Sequence, residues 1–211
     1  MKLIYSFFLF SIIFSIHAQR GLFNQSYEAM AKDFNIKESQ LQKYKSQGRI
    51  VIYNEKKHKT RLARTLLKSK KGKTKTIDKG FYKTQYEILS KQSIPHYRVR
   101  YIFVDKTKFE LEEDYQAYIL KIKKLLNHTA FESVAMQYSM DFRKNTGGDS
   151  GWFKKGKTHP MFFTEATNTA KLADEIFEFE IPEINAHYFV KKTHTKKDIR
   201  EVMVLQTKEN K

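Results

Sequence analysis

The sequence contains no cysteine, and this absence removes several classes of chemistry at once. Such a chain forms no disulfide, has no catalytic thiolate, cannot build a cysteine-ligated zinc site, and carries no thiol for lipid attachment. Proline is scarce, with three residues, and glycine is limited to eight of 211 residues. A hydrophobic content of 40% and an aromatic content of 14% nevertheless support a buried core, which excludes the disordered class.

Only one apolar run approaches the length of a membrane span, and it lies at the N-terminus, over Leu3–Ile16. Lys2 precedes the run and Ile16-His17-Ala18 follows as a cleavage site, which is the pattern of a secretory signal peptide. A membrane anchor is the alternative, but the run is shorter than the ~20 residues that a spanning helix needs. The sequence therefore predicts a signal peptide over residues 1–18 and a soluble, exported protein.

The formal net charge is +17, which favours anionic partners of some kind. Export argues against nucleic acid, and we predict none; electrostatic contact with an anionic membrane surface or with acidic client proteins remains open. The densest basic patch is Lys68–Lys79, and no aromatic residues interleave with its lysines to stack on bases. We interpret this patch as a solvated loop, with docking of an anionic partner as the alternative.

The first part of the chain, residues 19–95, is predicted to be an α+β extension of unknown role. Hydrophobic periodicity indicates helices over 26–34, 37–47 and 59–69, and strands over 49–53 and 80–90. Ser93-Ile94-Pro95 is predicted to break the chain, because the residue before a proline is pushed towards extended conformations. The domain boundary is placed there.

The second part begins with a strong strand pattern over Tyr97–Val104, followed by two amphipathic helices, Leu111–Leu126 and Ala130–Tyr138. A short helix is predicted over 161–169 and strands over 176–181, 187–191 and 199–206. The last strand, within residues 194–211, alternates apolar residues on both sides. We expect it to pair with the N-terminal region.

The segment Tyr138–Phe153 holds three of the eight glycines and the only tryptophan. Gly147-Gly148-Asp149 is a turn signal, because glycine tolerates positive φ and aspartate bonds to its own nearby backbone. An aromatic pair, Trp152-Phe153, follows this turn closely. Because aromatic side chains favour burial, the loop is expected to fold back onto the core.

From Tyr97 to Lys192 the sequence resembles the parvulin family of peptidyl-prolyl cis/trans isomerases. The resemblance rests on an ordered set of motifs: Val99–Val104, Phe131-Glu132-Ser133-Val134-Ala135-Met136-Gln137-Tyr138-Ser139, Gly147-Gly148-Asp149-Ser150-Gly151-Trp152-Phe153, Gly156, Phe162 and His187-Tyr188-Phe189-Val190. It implies an α+β fold, with a parvulin-like domain over residues 96–193. That domain would be an antiparallel sheet of about four strands wrapped by three or four helices.

The resemblance also implies a catalytic set. Asp141 matches the position where members carry Cys or Asp, facing the substrate carbonyl, and His187 matches the family's second active-site histidine. Tyr101 stands where the family has its first-strand histidine, and its hydroxyl can still donate a hydrogen bond. Without the resemblance, a lone strand histidine would be read as structural and Asp141 as the cap of a turn.

For the substrate, the resemblance implies that Phe162 is the hydrophobic floor beneath the proline ring. Ser150 and Thr158 fall at pocket positions where the family has leucine and methionine, so the pocket is more polar here. Trp152 and Phe153 would support the loop. Phe162 is equally compatible with a place in the hydrophobic core.

The predicted function is peptidyl-prolyl isomerisation that assists the folding of secreted or envelope proteins in the periplasm. The alternative is a catalytically weak parvulin-fold chaperone or binding module for non-native polypeptides, and a partner of a secretion apparatus is a third hypothesis. The substrates would be unfolded or proline-containing polypeptides. The remaining histidines lack metal-ligand spacing, so neither a metal nor a cofactor is predicted.

Overall fold

The computed structural model describes residues 27–210, so the predicted signal peptide at residues 1–18 lies outside the described residues. The chain divides into two compact units. The terminal unit contains residues 27–95 together with 198–210, and the central unit contains His96–Lys197. Among residues 27–210, none of the helices is both long enough and apolar enough to cross a membrane.

The terminal unit is a four-stranded sheet with helices on both faces. Its elements are α1 (Tyr27–Phe34), α2 (Glu38–Gln47), β1 (Arg49–Asn54), α3 (Arg61–Lys68), β2 (Thr74–Asp78), β3 (Tyr82–His96) and β7 (Lys197–Asn210). The strand order is β1-β7-β3-β2, and β7 pairs antiparallel with β1, with Val204 opposite Val51. The expected return of the last strand to the N-terminal region is confirmed.

Alternation along β7 explains why this sheet carries helices on both sides. Met203 and Leu205 pack in one cluster with residues of α1 and α2, while Val202 and Val204 pack in another with α3. Successive side chains of a strand point to opposite faces, so a strand with four apolar residues in a row is buried on both. The terminal unit therefore has two apolar layers, one on each side of the sheet.

Two predictions for the terminal unit were wrong. The patch Lys68–Lys79 is not only a loop, because Thr74–Asp78 forms β2 and pairs with β3 from Thr74 opposite Glu87 to Asp78 opposite Lys83. Backbone pairing stabilises this exposed strand, so side-chain hydrophobicity gives little signal. The predicted break before Pro95 is also absent, since β3 continues to His96. An extended strand end accommodates the fixed φ of proline.

The central unit is a mixed α and β structure with an antiparallel sheet, so the predicted α+β class is confirmed. Its elements are β4 (Val99–Asp105), η1 (Lys106–Lys108), α4 (Glu112–Leu126), α5 (Phe131–Tyr138), η2 (Phe142–Thr146), α6 (Pro160–Thr167), β5 (Ile176–Ile181), η3 (Pro182–Ile184) and β6 (Ala186–Lys192). Three strands are hydrogen-bonded in the order β4-β6-β5. Beyond β4, single bridges join Tyr97 to Phe153 and Arg100 to Asp149, so a loop stands where a fourth strand would lie.

The three-stranded sheet separates two apolar clusters. On the face covered by α4 and α5, here called the α4 face, Ile102, Val104 and Phe189 pack with residues of both helices. On the face covered by α6, here called the α6 face, Val99 and Val190 pack with Phe162 and Ala166. Because successive side chains of a strand point to opposite faces, every second residue along each strand joins the same cluster.

Candidate active site

The centre of the candidate site is a hydrogen bond between a strand tyrosine and a loop carboxylate. Tyr101, in the middle of β4, donates its hydroxyl proton to Asp141 Oδ2 over 2.6 Å. Oδ1 of Asp141 accepts from the Ser139 hydroxyl at 3.0 Å and from the Arg143 backbone N–H at 3.1 Å. Asp141 is therefore the N-cap of η2 and the partner of Tyr101 at the same time, which fixes both of its carboxylate oxygens.

A loop running along the free edge of β4 holds Asp141 in this position. Met140 N–H donates to Phe103 O at 2.8 Å, and Tyr101 N–H donates to Gly148 O at 2.9 Å. Gly148 has φ +77°, and a Cβ built there would lie 2.2 Å from the Tyr101 carbonyl oxygen. Only glycine satisfies both conditions, because other residues disfavour this backbone region and carry the atom that would collide.

Aromatic rings on the α6 face form the floor beneath the Tyr101 hydroxyl. The Phe162 ring centroid lies 5.4 Å from that of Tyr101 and 5.0 Å from that of Tyr188, and 5.9 Å from that of Phe153. Phe179 stacks on Tyr188 at 5.5 Å. These separations are typical of favourable edge and offset aromatic pairs. Phe162 and Phe153 are buried, so both are parts of the core as well as of the floor.

The electrostatics of the site keep its two tyrosines neutral. Burial, and then the hydrogen bond to Asp141, raises the pKa of the Tyr101 hydroxyl far above its usual value. Burial, and then the charge of Asp141, raises the pKa of Tyr188 to about 12. Both groups are therefore hydrogen-bond donors at physiological pH. Within residues 27–210 the Tyr188 hydroxyl bonds to no other group of the protein.

His187 is not brought together with Asp141 and Tyr101. Tyr188 and Val190 of β6 pack on the α6 face. His187 points to the α4 face, where its ring centroid lies 4.9 Å from that of Phe189. Its Nδ1 is 2.9 Å from the Tyr115 hydroxyl, and its Nε2 is 3.0 Å from Glu178 Oε2. His187 therefore lies on the face of the sheet opposite to Tyr101, because successive side chains of a strand point to opposite faces.

The remaining predicted residues divide between the loop and its surroundings. Ser150 uses its hydroxyl on the backbone, accepting from Val99 N–H at 3.0 Å and donating to Gly151 O at 2.8 Å. Trp152 lies against His194, with ring centroids 5.6 Å apart, and is not part of the aromatic floor. The Thr158 hydroxyl is buried and has no hydrogen-bond partner in the described part of the chain.

Two residues of the arrangement were missed by sequence reasoning. Ser139 links the loop to β4, because its oxygen accepts from Phe103 N–H at 3.0 Å while its proton goes to Asp141. Its position two residues before an aspartate is a local signal that could have been used. Tyr188 carries no such signal, since its face depends on which residue of β4 it pairs with, namely Phe103.

An ion pair secures the far end of the loop. Arg98 donates from Nε to Asp149 Oδ1 at 2.9 Å and from Nη2 to Oδ2, which is the bidentate geometry of strong pairs. The hydrogen bond from Arg98 is the main cause that lowers the pKa of Asp149 to about 2. Asp149 also accepts from Gly151 N–H at 2.9 Å. Among residues 27–210, no group of three or more His, Asp or Glu side chains is arranged to hold a metal ion.

Comparison with known proteins gives one family match. The family described as the PPIC-type PPIASE domain matches residues 88–193. The chaperone SurA of Methylobacillus flagellatus is 40% identical over 65 residues, which is 30% of this chain and 15% of that protein. The chain therefore spans only a small part of this curated relative.

Solved structures match as well, among them PrsA from two Bacillus species. PrsA from Bacillus subtilis is 25% identical, with a TM-score of 0.37, and the match covers 47% of this chain and 35% of that one. The peptidylprolyl isomerase PrsA from Bacillus anthracis is 29% identical, with a TM-score of 0.38, and the match covers 51% and 45%. The chain spans less than half of each solved relative.

Proposed function

The chain belongs to the PPIC-type PPIase domain family, and on that premise we propose that its central unit is a peptidyl-prolyl cis/trans isomerase. The observation that carries the proposal is the hydrogen bond from Tyr101 to Asp141, 2.6 Å long, above the aromatic floor that contains Phe162. This arrangement combines an apolar surface for a pyrrolidine ring with a charged group beside it.

The reaction requires only a modest stabilisation of its transition state by the protein. Rotation about a peptide bond meets a barrier of ~18–20 kcal/mol because the planar amide is stabilised by resonance. Proline brings the cis and trans forms close in energy, so only the barrier needs to be lowered. A thousandfold acceleration requires about 4 kcal/mol of binding that favours the twisted amide over the planar one. No covalent intermediate is needed.

Asp141 suits this task through its charge. Resonance places partial negative charge on the carbonyl oxygen of the planar amide, and twisting removes part of it. A carboxylate near that oxygen therefore disfavours the planar form more than the twisted form. Tyr101, Ser139 and the Arg143 backbone N–H hold the carboxylate in one orientation. Such fixed charges lose no energy to reorganisation during the reaction.

The proline ring would lie against the aromatic floor. We assign the floor to Phe162, with Phe153 behind it, and we assign Tyr188 the role of a donor to the substrate backbone, since its hydroxyl is uncommitted. Ser150 remains a proposed part of the pocket wall through its place on the loop. His187 is assigned a structural role on the α4 face.

Trp152 and Thr158 complete the proposed loop. Trp152 would support the chain between the Gly-Gly-Asp turn and α6 through its contact with His194. Thr158 lies two residues before Pro160, where α6 begins, so it would set the entry of the helix that carries Phe162.

A protease-coupled assay on Xaa-Pro peptides tests the isomerase. We expect Y101F and D141N each to lower kcat/KM by about ten- to a hundredfold: Y101F removes a charge-assisted hydrogen bond worth about 1.5–3 kcal/mol, and D141N removes the charge that strengthens it and faces the substrate. The matched control is Y118F. Tyr118 also donates its hydroxyl proton, in its case to the Tyr138 carbonyl at 2.8 Å, but it packs in the cluster of the α4 face. It should keep the activity of the parent.

The second candidate function is a chaperone without catalysis. It is favoured by Tyr101, which stands where the family has a histidine. If the parent accelerates isomerisation of no Xaa-Pro peptide above background, the enzyme is excluded. Suppression of client aggregation by the same protein would then support the chaperone.

For substrates and location we propose proline-containing, non-native polypeptides in the bacterial envelope. The support is the family, a relative named as a chaperone, and the secretory pattern at residues 1–18. The finer proposal is a periplasmic protein. Fractionation of the native cell with an antibody against the central unit tests it, and recovery in the cytoplasm would overturn it.

A further inference from the structure

The positive charge of this protein is concentrated in one unit and, within it, in one stretch. The described terminal unit carries 20 Lys and Arg against 9 Asp and Glu, a net charge of +11, while the central unit carries 17 against 14, a net charge of +3. The stretch 56–83 alone holds twelve cations and one acid, Asp78. Neither the family nor the isomerase site accounts for this concentration.

All twelve cations are exposed. We call the surface that they form the basic surface, and its members are Lys56, Lys57, Lys59, Arg61, Arg64, Lys68, Lys70, Lys71, Lys73, Lys75, Lys79 and Lys83. Charges within about 8–10 Å of one another act together at physiological ionic strength. A stretch of 28 residues folded into one helix and one hairpin therefore produces a strong local potential.

The fold presents these cations outward. Ala63, Leu66 and Leu67 bury the inner side of α3 against the sheet. Arg61, Arg64 and Lys68 recur at intervals of three and four residues, so they share the opposite, solvent side of the helix. On β2 the side chain of Lys75 shares the face of Ile77, which packs in the same cluster as Leu66 and Leu67. The helix and the strand thus contribute cations on the same side of the sheet.

An apolar side chain stands at the end of this surface. Phe81 is 91% exposed, the most exposed large apolar residue in the described part of the chain. It lies at the tip of the β2–β3 hairpin, between Lys79 and Lys83. The tip is held by Lys79 N–H to Tyr82 O at 2.9 Å and by Gly80 N–H to Asp78 Oδ1 at 2.9 Å. A turn closed by two hydrogen bonds that holds an aromatic ring in water, with cations on both sides, indicates a partner that offers both negative charge and an apolar surface.

We propose that the basic surface docks on an anionic lipid bilayer, with the Phe81 ring inserted between the headgroups. Lysines and arginines near an anionic leaflet add their attractions, and an aromatic ring at the headgroup level gains an apolar contact that lipid supplies. Single-stranded nucleic acid would instead need several exposed rings along a groove for its bases. Phe81 is the one exposed phenylalanine, tyrosine or tryptophan between residues 56 and 83. The proposal does not depend on isomerase activity.

The test measures partitioning onto vesicles of neutral phosphatidylcholine and onto vesicles containing 30% phosphatidylglycerol. The full chain is used, and the chain cleaved after Ala18 is measured beside it, because Leu3–Ile16 could bind to lipid on its own. The ratio of the anionic to the neutral partition constant removes that background. We expect a ratio of at least a hundred at low salt, falling steeply as salt is added.

The decisive variant reverses three charges of the basic surface, R64E, K68E and K75E. Its matched control, K108E, K124E and K196E, makes the same change in net charge at exposed positions of the central unit. The first should lower the ratio by more than tenfold, because each cation near an anionic leaflet is worth about fivefold in binding. The control should lower it by less than threefold. Equal losses would overturn the proposal.

Phe81 is tested separately. F81S should lower partitioning on anionic vesicles about fivefold, and F81W should show fluorescence quenching by brominated lipid beyond that of the parent, which has Trp152 alone. Absence of extra quenching would overturn the insertion of the ring. Binding to single-stranded nucleic acid that is tighter than to anionic vesicles, and unchanged in F81S, would overturn the lipid bilayer as the partner. Isomerase activity on soluble peptides should be the same in all these variants.

Discussion

The three-stranded sheet carries a self-contained polar network on one face and the candidate active site on the other. On the α4 face, His187 is surrounded by partners: Tyr115 and Glu180 at Nδ1, and Glu178 at Nε2. Glu178 in turn pairs with Lys123 Nζ at 2.6 Å. These polar groups satisfy one another, so little is left for a substrate.

The α6 face is organised differently. Asp141 is fixed there by donors from three directions, and the aromatic rings around it supply shape rather than charge. The neighbouring Tyr188 hydroxyl is not committed to the protein within residues 27–210. The difference shows that finding a titratable residue within a family motif is less informative than knowing the sheet face on which its side chain lies. Three predictions test this comparison.

The largest effect is expected from Gly148→Ala, which pushes the loop away from β4, where the added Cβ would meet the Tyr101 carbonyl, and also places that Cβ 3.1 Å from the Cβ of Ala135 in α5. Positive φ costs about 1–2 kcal/mol for alanine, and the collision with the Tyr101 carbonyl adds about 1–3 kcal/mol. We therefore expect a loss of about 3 kcal/mol of stability and a fall in Tm of more than about 10 °C, measured by circular dichroism.

Gly151→Ala is the matched control for this prediction. Gly151 also has positive φ, at +63°, and belongs to the same loop, but no atom lies within 4 Å of the Cβ position. G151A should lose only the stability that corresponds to positive φ at an alanine, about 1–2 kcal/mol. If G151A is as unstable as G148A, the close approach of loop and strand does not hold the site together.

The next prediction compares adjacent residues of β6. Tyr188→Phe should lower kcat/KM about tenfold, equivalent to about 1.4 kcal/mol, because the substrate loses one donor. His187→Gln should cost about 1–2 kcal/mol of folding stability through its lost hydrogen bonds but change kcat/KM less than twofold. The measurements are the protease-coupled assay and urea unfolding. The reverse result would return the catalytic role to His187.

Which of His187 and Tyr188 faces the candidate site is also the point that the sequence could not predict. The strands and the helices around the glycine loop could be predicted because periodicity and local turn chemistry specify them, whereas the set Tyr101, Asp141 and Phe162 was identified through the resemblance to the parvulin family. The segment His187-Tyr188-Phe189-Val190 has four large residues in a row. It lacks an alternation of apolar and polar side chains, so the pattern does not indicate which of them face α6. Their faces depend on pairing with β4, where Val104 lies opposite His187, and that contact is long-range.

In the terminal unit the sequence failed to predict a strand, and the reason is a different one. Thr74–Asp78 has one apolar residue, Ile77, so its composition matches a solvated loop. It becomes a strand because β3 offers an unpaired edge, and a backbone that pairs does not need apolar side chains. Sequence patterns report burial well and backbone pairing poorly, which is why the exposed strand and the continuation of β3 to His96 were missed.

The smallest effect concerns the far end of the loop on the α6 face. The Arg98 hydrogen bond lowers the pKa of Asp149 to about 2 in the folded protein, below the value of about 4 expected for the unfolded chain. Its stabilisation is therefore present above about pH 4 and is lost as the pH falls towards 2. Asp149 is partly exposed, so we expect no more than about 1 kcal/mol.

The measurement is the difference in Tm between the parent and D149N, from pH 6 down to pH 2.5. The parent should be more stable at pH 6, and the gap should narrow as the pH falls from about 4 towards 2, because Asp149 takes up a proton near pH 4 in the unfolded chain and only near pH 2 in the folded protein. E110Q, which removes an exposed carboxylate from the α4 side of the unit, should show a small gap with little change over this range. A gap for D149N that stays constant to pH 2.5 would mean that the charge of Asp149 does not secure the loop, and that the α6 face depends on Gly148 and the Asp141 hydrogen bonds alone.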